Sequence, residues 1–207
     1  MARMPLTKET VETDRLVLNL KSVGLSEEQF FRLCRDNDNL CFELSARKEL
    51  IIMSPVKPKT SWRNNLICYR LTKWALKDRT GLVFESSAGY TLPNGAIRAP
   101  DASWMLRERW EGLSEEQREE KEERFAHICP DFVVELMSPS STLKEQKAKM
   151  DEYIANGAQL GWLIDPFNKC VYVYRPGQPV EYFENPTTIS GDPALPGFVF
   201  NVAEIWQ

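Results

Sequence analysis

The hydrophobic pattern is most distinctive between Pro130 and Pro139, where the run Phe132-Val-Val-Glu-Leu136 is almost wholly apolar. A short apolar run rich in β-branched residues, bounded by prolines, predicts a buried strand. Alternation places Phe132, Val134 and Leu136 on one face and Asp131, Val133, Glu135 and Met137 on the other. The Glu135 carboxylate is therefore expected in the interior, where an unpaired charge is costly. It is either part of a buried ion pair or a metal ligand.

Before this strand, the hydrophobic pattern changes between the repeat typical of helices and the repeat typical of strands. It predicts an edge strand in residues 15–20, a helix opened by the capping box of Ser26 and Gln29, and two strands within 42–53. A helix follows from Ser61 to about residue 79, with Trp62, Leu66, Ile67, Leu71, Trp74 and Ala75 as its expected buried side. A strand over 82–85 and a hairpin around Asn94 and Gly95 then lead into a strand over 101–106.

The remaining chain is predicted to continue in the same alternating way. A charged helix is expected after Ser114, with the Glu-rich run 115–123 as its solvated face, and another helix over residues 143–156. Strands are expected over 160–165, 170–174 and 180–183, and a terminal strand or short helix after residue 195. This order indicates the α/β (mixed α+β) class, with a mixed β-sheet flanked by helices. We expect one domain over 1–207, with residues 1–81 packed on a core of 82–175 and a covering tail of 176–207.

Composition narrows the possible chemistry. The five cysteines have no Cys-x-x-Cys spacing, which argues against a disulfide framework and a structural zinc site. His127 is the only histidine, so a Ser-His-Asp triad and a histidine metal cage are both disfavoured. No apolar run approaches the roughly 20 residues of a membrane span, and no secretory signal is visible, so we expect a cytoplasmic protein. The net charge of −4 argues against a surface that coats nucleic acid, but it permits a local basic cleft.

Two carboxylates are candidates for catalytic chemistry. Asp101 opens an alternating strand, and Glu135 lies on the next predicted strand. Carboxylates on adjacent strands that face the same way form a hard-oxygen site suited to Mg²⁺ or Mn²⁺, which can generate a hydroxide and stabilise charge on a phosphate. A lysine that supports this chemistry is expected two residues after the glutamate, but Met137 occupies that position. The following helix could instead return Lys149 over the strand.

At this point the chain resembles a known family, the Uma-type restriction endonucleases of the PD-(D/E)XK nuclease superfamily. The matching segments are residues 42–45, 49–55, 92–95, 99–104, 109–110, 130–136, 138–140, 156–157, 161–166, 174–178 and 195–198, together with Lys149 and Tyr153. The resemblance implies a restriction-endonuclease-like core with a metal held by Asp101, Glu135 and the carbonyl of Leu136. It also implies that Lys149 replaces the usual strand lysine. The helix entry at 58–61 departs from the family pattern, because it lacks the histidine or glycine-rich turn common there.

Two functions remain open from the sequence. The first is a metal-dependent endonuclease that cleaves DNA, acting as a homodimer because duplex cleavage needs two sites. The alternative is a catalytically inactive binding or regulatory module on the same fold, favoured by Met137 and by the acidic net charge. In the active form, we expect the Lys149 ammonium within roughly 4 Å of Glu135. We also expect repulsion between Asp101 and Glu135 to raise the pKa of at least one of them.

At each single position, a purely structural role is the alternative to a catalytic or metal-binding role. Asp101 alone is typical of a turn or cap, and Lys149 alone is typical of a solvated helix lysine. Glu43 and Glu49 could join the acidic site, but exposed strand carboxylates are the simpler interpretation. Asp131 is expected to be structural, His127 a loop residue, and Trp104, Trp110 and Trp162 core residues.

Overall fold

A computed structural model describes residues 15–114 and 125–207. Its strands are β1 (Arg15–Asn19), β2 (Cys41–Leu44), β3 (Glu49–Met53), β4 (Gly81–Glu85), β5 (Tyr90–Thr91), β6 (Ile97–Arg98), β7 (Ala102–Leu106), β8 (Phe132–Leu136), β9 (Leu160–Asp165), β10 (Cys170–Tyr174), β11 (Glu181–Glu184), β12 (Ile189–Ser190) and β13 (Val199–Phe200). Its helices are α1 (Glu27–Arg35), α2 (Pro58–Asp78), α3 (Arg107–Glu111), α4 (Leu143–Ala155) and a terminal 3-10 helix, Val202–Trp206. The expected mixed α and β architecture is confirmed.

The central sheet has six strands in the order β11-β10-β9-β8-β7-β4. Its only parallel pair in the described residues is β8 with β9, because α4 crosses between them and returns the chain to the same end of the sheet. Every residue of β8 is buried. The proline-bounded run is therefore the interior strand that the sequence predicts, with helices covering both of its faces.

The two faces of the central sheet build two apolar clusters. Phe132 and Val134 point into one cluster, which also contains side chains of α2 and of the segment after residue 194. Val133 and Met137 point into the other, where Met150 and Tyr153 of α4 are fully buried. The alternation expected for this strand is confirmed. On α4, the Tyr153 side chain is 0% exposed.

A second sheet was not separated from the first by the sequence pattern. It is antiparallel, with the order β1-β3-β2-β6-β5. One side packs on Phe30 of α1 through Leu44, Leu50 and Ile97. Gly95 makes the predicted turn between β5 and β6 with a φ of +78°, which an L side chain rarely adopts. This sheet carries Glu43 on β2 and Arg98 on β6.

Helix α2 differs from its prediction in two ways. It begins at Pro58 and not at Ser61, because proline at the first helical position gives up an amide that has no partner there anyway. Its buried side contains Ile67, Leu71 and Ala75, but Trp62 is 48% exposed, so the prediction for Trp62 was wrong. The predicted helix after Ser114 falls mostly on residues 115–124, outside the described part of the chain.

Capping boxes begin two of the helices, and the one at Ser26 was predicted from the sequence. Ser26 and Gln29 form one at the start of α1, and Thr142 and Glu145 form another at the start of α4. Within the described ranges, no helix is both long and apolar enough to cross a membrane.

Candidate active site

Asp101 and Glu135 come together through the pairing of β7 with β8. Ala102 pairs with Val134 in this antiparallel ladder, so continuing the register by one residue sets Asp101 opposite Glu135. Asp101 lies immediately before β7, not within it. Its Oδ2 accepts a hydrogen bond of 2.7 Å from the backbone N–H of Leu136, which fixes the carboxylate beside the end of β8.

Helix α2 supplies a second donor to Asp101. The Asn64 Nδ2 donates to Asp101 Oδ1 at 2.6 Å. Both oxygens of the carboxylate are thus oriented, one by a strand amide and one by a helix side chain. Asn64 was not singled out by the sequence pattern, because an asparagine within a helix carries no signal until its neighbour in space is known.

Glu135 is held from α4. Its side chain is 5% exposed, and its Oε1 accepts a hydrogen bond of 3.0 Å from the Tyr153 hydroxyl. Lys149 Nζ lies 2.7 Å from the same oxygen, within the salt-bridge distance that the sequence argument expects. Helix α4 carries Lys149 to this position because Met150 and Tyr153, its neighbours on the helix, are buried against the sheet.

Glu43 joins the site, which corrects the expectation that it is an exposed strand carboxylate. It is only 2% exposed, and its Oε1 lies 2.7 Å from Lys149 Nζ. Alternation in β2 sends Phe42 and Leu44 towards the second sheet's core and Glu43 to the opposite side. The sequence could not show that α4 covers that opposite side. Glu49, by contrast, is half-buried and bonds to Ser45 and Arg47.

A chain of alternating charges runs from Lys149 through the second sheet and back to Glu152 on α4. Arg98 donates to Glu43 Oε2 at 3.0 Å and to Glu152 Oε2 at 2.6 Å. Glu152 in turn accepts from the Asn94 side chain at 3.0 Å. The order of charges is Glu152, Arg98, Glu43, Lys149 and Glu135, so every neighbouring pair has opposite signs.

The pKa shifts divide the carboxylates into two groups. Burial raises the pKa of Glu135 to about 8, and Lys149 only partly offsets it. Burial likewise raises the pKa of Asp101. For Glu43, burial is outweighed by Lys149 and Arg98, so its pKa is lowered. The expected rise in pKa is present at both Asp101 and Glu135, but its main cause is desolvation. The charge of Asp101 contributes less to the raised pKa of Glu135.

The donor set is compatible with a hard divalent cation. With all groups ionised, Asp101, Glu135, Glu43 and Glu152 against Lys149 and Arg98 give a formal charge of −2, and Asp101 forms no ion pair with a described residue. Oxygen ligands of this kind suit Mg²⁺ or Mn²⁺. In the described residues, no group of three or more His, Cys, Asp or Glu side chains is arranged to hold a metal ion. Two carboxylates, a backbone carbonyl and solvent would therefore have to complete such a site.

A pocket of about 350 Å³ adjoins the site, between α4 and the second sheet. Lys149, Glu43 and Arg98 line its inner part, and Val17 and Ile51 line the sheet wall. Asp101 and Glu135 are not among its lining residues. The pocket thus gives access to the lysine ammonium from the side away from the paired strands.

The other predicted positions have structural contacts. Asp131 accepts from the Leu106 amide at 2.9 Å and pairs with Arg109 at 2.5 Å, and His127 contacts Glu27. Trp104 and Trp162 are core residues, each 1% exposed.

The fold is that of a restriction-endonuclease-like protein, and the comparisons agree. A family model, Uma2, described as "Putative restriction endonuclease", matches residues 27–203. The chain belongs to this family. It is also similar to the 1.96 Å crystal structure titled a "putative nuclease belonging to DUF820" from Anabaena variabilis ATCC 29413, with a TM-score of 0.66 and 23% identity over 80% of this chain and 89% of that one. No curated protein matches the present chain.

Proposed function

We propose that the protein is a metal-dependent endonuclease that hydrolyses phosphodiester bonds in DNA. Asp101, Glu135 and the carbonyl of Leu136 hold Mg²⁺ or Mn²⁺, and Lys149 acts beside them. The observation that carries the proposal is the position of the Lys149 ammonium, 2.7 Å from Glu135 although it comes from a helix. Met137, which occupies the strand position expected for this lysine, has an apolar side chain with no charge to contribute.

A bound cation would lower the pKa of a water molecule and stabilise negative charge on the phosphate. The chain's own residues arrange the rest. Lys149 has three N–H donors, of which two reach Glu135 and Glu43, leaving the third for a phosphate oxygen or the attacking water. The Tyr153 hydroxyl orients Glu135, while Asn64 and the Leu136 amide orient Asp101. These contacts fix the ligands in advance of substrate binding.

The charges of the buried cluster also support Asp101 and Glu135 as the metal ligands. Glu43 contacts two cations, Lys149 and Arg98, whereas Glu135 shares Lys149 with Glu43 and Asp101 forms no ion pair with a described residue. The least compensated negative charge therefore lies at Asp101 and Glu135. Buried charge that remains unpaired is costly, and a divalent cation between these two carboxylates would remove the cost. The proposed ligands are thus the carboxylates that need a cation, and the proposed charge donor is Lys149, which contacts Glu135.

Lys149→Met tests the proposal, with Lys147→Met as the matched control. Lys147 lies on the same helix but places its ammonium 4.1 Å from the centre of the Tyr172 ring, away from the carboxylates. Cleavage of plasmid and linear DNA should be measured in Mg²⁺ and in Mn²⁺. We expect Lys149→Met to lose about 10²–10³-fold in rate, the scale of one charge-stabilising donor, and Lys147→Met to stay near the unmodified rate. Equal rates in the Lys149 variant and the unmodified protein would refute the role of Lys149.

The second candidate is an inactive binding module on the nuclease fold. Met137 favours it, because the strand lysine is absent and the methionine is well packed, 6% exposed. This candidate predicts DNA binding without cleavage of DNA or RNA in either metal. A gel-shift assay beside the cleavage assay separates the two functions.

A further inference from the structure

We propose that Glu43 is a positioning residue that holds the Lys149 ammonium at the site, with Arg98 keeping Glu43 charged and in place. This inference deepens the function proposed above and rests on it for its catalytic consequence. Glu43 does not have to touch metal or substrate; it acts through the lysine. The arrangement offers a physical answer to how a lysine from a helix can replace one built into a strand.

The contacts of Lys149 show why a second carboxylate is needed. A helix lysine has four rotatable side-chain bonds, so one ion pair would leave its ammonium free to turn towards solvent. In this structure Nζ lies between two carboxylate oxygens, Glu135 Oε1 and Glu43 Oε1, each at 2.7 Å. One oxygen belongs to the central sheet and the other to the second sheet. The ammonium is thereby held from both sides, and the Lys149 side chain is only 12% exposed.

Glu43 is itself fixed by its own partners. Its Oε2 accepts from Arg98, and its Oε1 also accepts from the Ala99 amide at 3.2 Å. Arg98 is anchored in turn by two contacts of 2.6 Å to Glu152 on α4. Because both Glu43 oxygens already have donors, the carboxylate is committed to the lysine and arginine. A metal-ligand role would require it to give up these contacts.

The first experiment examines position and does not need activity. Crystal structures and ¹H–¹⁵N spectra of the Lys149 ammonium should be compared for the unmodified protein, Glu43→Gln and the control Glu49→Gln. Glu49 lies on the neighbouring strand but contacts Arg47 and Ser45 instead. We expect Glu43→Gln to move Nζ away from Glu135 or to broaden its signal, and Glu49→Gln to leave both unchanged. An unmoved, equally sharp ammonium in Glu43→Gln would overturn the proposal, whether or not the protein cleaves DNA.

The second experiment examines the consequence for the reaction. In an active enzyme, Glu43→Gln should lower kcat by about 10-fold or more with little change in KM or in Mn²⁺ affinity. Combined with Lys149→Met, it should cause no further loss, because residues that act as a unit are not additive. Additive losses would instead mean a general structural role, and a tenfold or greater loss of Mn²⁺ affinity would mean that Glu43 is a metal ligand. Either result would overturn the positioning role.

Two further conditions keep the outcomes distinct. If Glu43→Gln does not fold, Glu43→Asp retains the charge but withdraws the carboxylate by one methylene group, and the same measurements apply. If the unmodified protein cleaves nothing, the proposed function fails, while the crystallographic and spectroscopic comparison still decides whether Glu43 positions Lys149.

Discussion

Individual residues in this site are distinguished by their partners more than by their type. Three acidic residues lie close to one lysine, yet Glu43 is paired with cations while Asp101 receives neutral donors. A carboxylate that accepts only from an amide and a side-chain amide keeps its negative charge available for a cation. Asn64 is therefore expected to matter, although it carries no charge and lies on a different element.

Asn64→Ala should weaken metal binding. It removes the 2.6 Å hydrogen bond to Asp101 Oδ1 and leaves that carboxylate oriented from one side only. Loss of a residue that orients a metal ligand typically costs about 10–100-fold in affinity. Calorimetric titration with Mn²⁺ measures the effect, and Asn65→Ala, an exposed neighbour on α2, is the control. Unchanged affinity in Asn64→Ala would argue against Asp101 as a ligand in this orientation.

The sequence identified part of this site for a clear physical reason. A glutamate in an apolar, proline-bounded strand stands out, and Lys149 follows on the next helix, so both could be found from local pattern. Glu43 and Asn64 could not, because their surroundings are made by elements distant in the chain. The exposed Trp62 fails for a similar reason: helical periodicity gives a face, but only packing shows how wide the buried part of that face is.

At the scale of elements, α4 is the part that assembles the site. It packs on β8, β9 and β10, brings Lys149 and Tyr153 to Glu135, and pairs Glu152 with Arg98. Its start is fixed by the capping box of Thr142 and Glu145. Its identity and bounds were predictable, since caps and periodicity are local signals. The division of the strands into two sheets was not, because it depends on pairing between β2 and β6 across the intervening α2.

Thr142→Ala should destabilise α4 at its start without altering the site directly. The substitution removes the acceptor for the Glu145 amide, and such a loss typically costs about 1 kcal/mol. Urea denaturation should show a lower midpoint with the same slope, while the cleavage rate under strongly native conditions stays near that of the unmodified protein. Lys144→Ala, an exposed change in the same helical turn, is the control. A midpoint shift no larger than the control's would mean that the cap contributes little here.

At the scale of the whole molecule, α2 and the C-terminal segment pack together on one face of the central sheet. Arg70 of α2 forms a bidentate pair with Glu204, and the Trp74 indole donates to the carbonyl of Pro196. The Phe198 ring stacks on Trp162 in the central sheet, with centroids 5.6 Å apart. The C-terminal segment thus closes the face of the sheet opposite α4. A rigid sheet covered on both faces can hold two buried carboxylates close together. Their repulsion costs free energy, and a bound cation would reduce that cost.

Metal binding and global stability should therefore be linked, and Glu135→Gln should separate the two. Gln retains an oxygen that can accept from Tyr153 and Lys149, and at a pH above the Glu135 pKa of about 8, where the carboxylate is ionised, it removes a buried negative charge from a cluster with formal charge −2. We expect the metal-free variant to melt at the same temperature as the unmodified protein or higher. At Mn²⁺ concentrations about 100 times Kd, binding should stabilise the unmodified protein by about 2.7 kcal/mol, or roughly 5–10 °C in Tm for a chain of this length.

The variant should lose that metal-dependent shift, because a neutral amide is a weak ligand for a hard cation. Glu184→Gln, on the exposed edge strand β11, should retain the full shift and serves as the control. Scanning calorimetry with and without Mn²⁺ measures all three proteins. An equal shift in Glu135→Gln and the unmodified protein would place the bound ion elsewhere. A metal-free variant that melts well below the unmodified protein would mean that the Glu135 charge stabilises the fold through Lys149, and that the carboxylate pair does not need a cation.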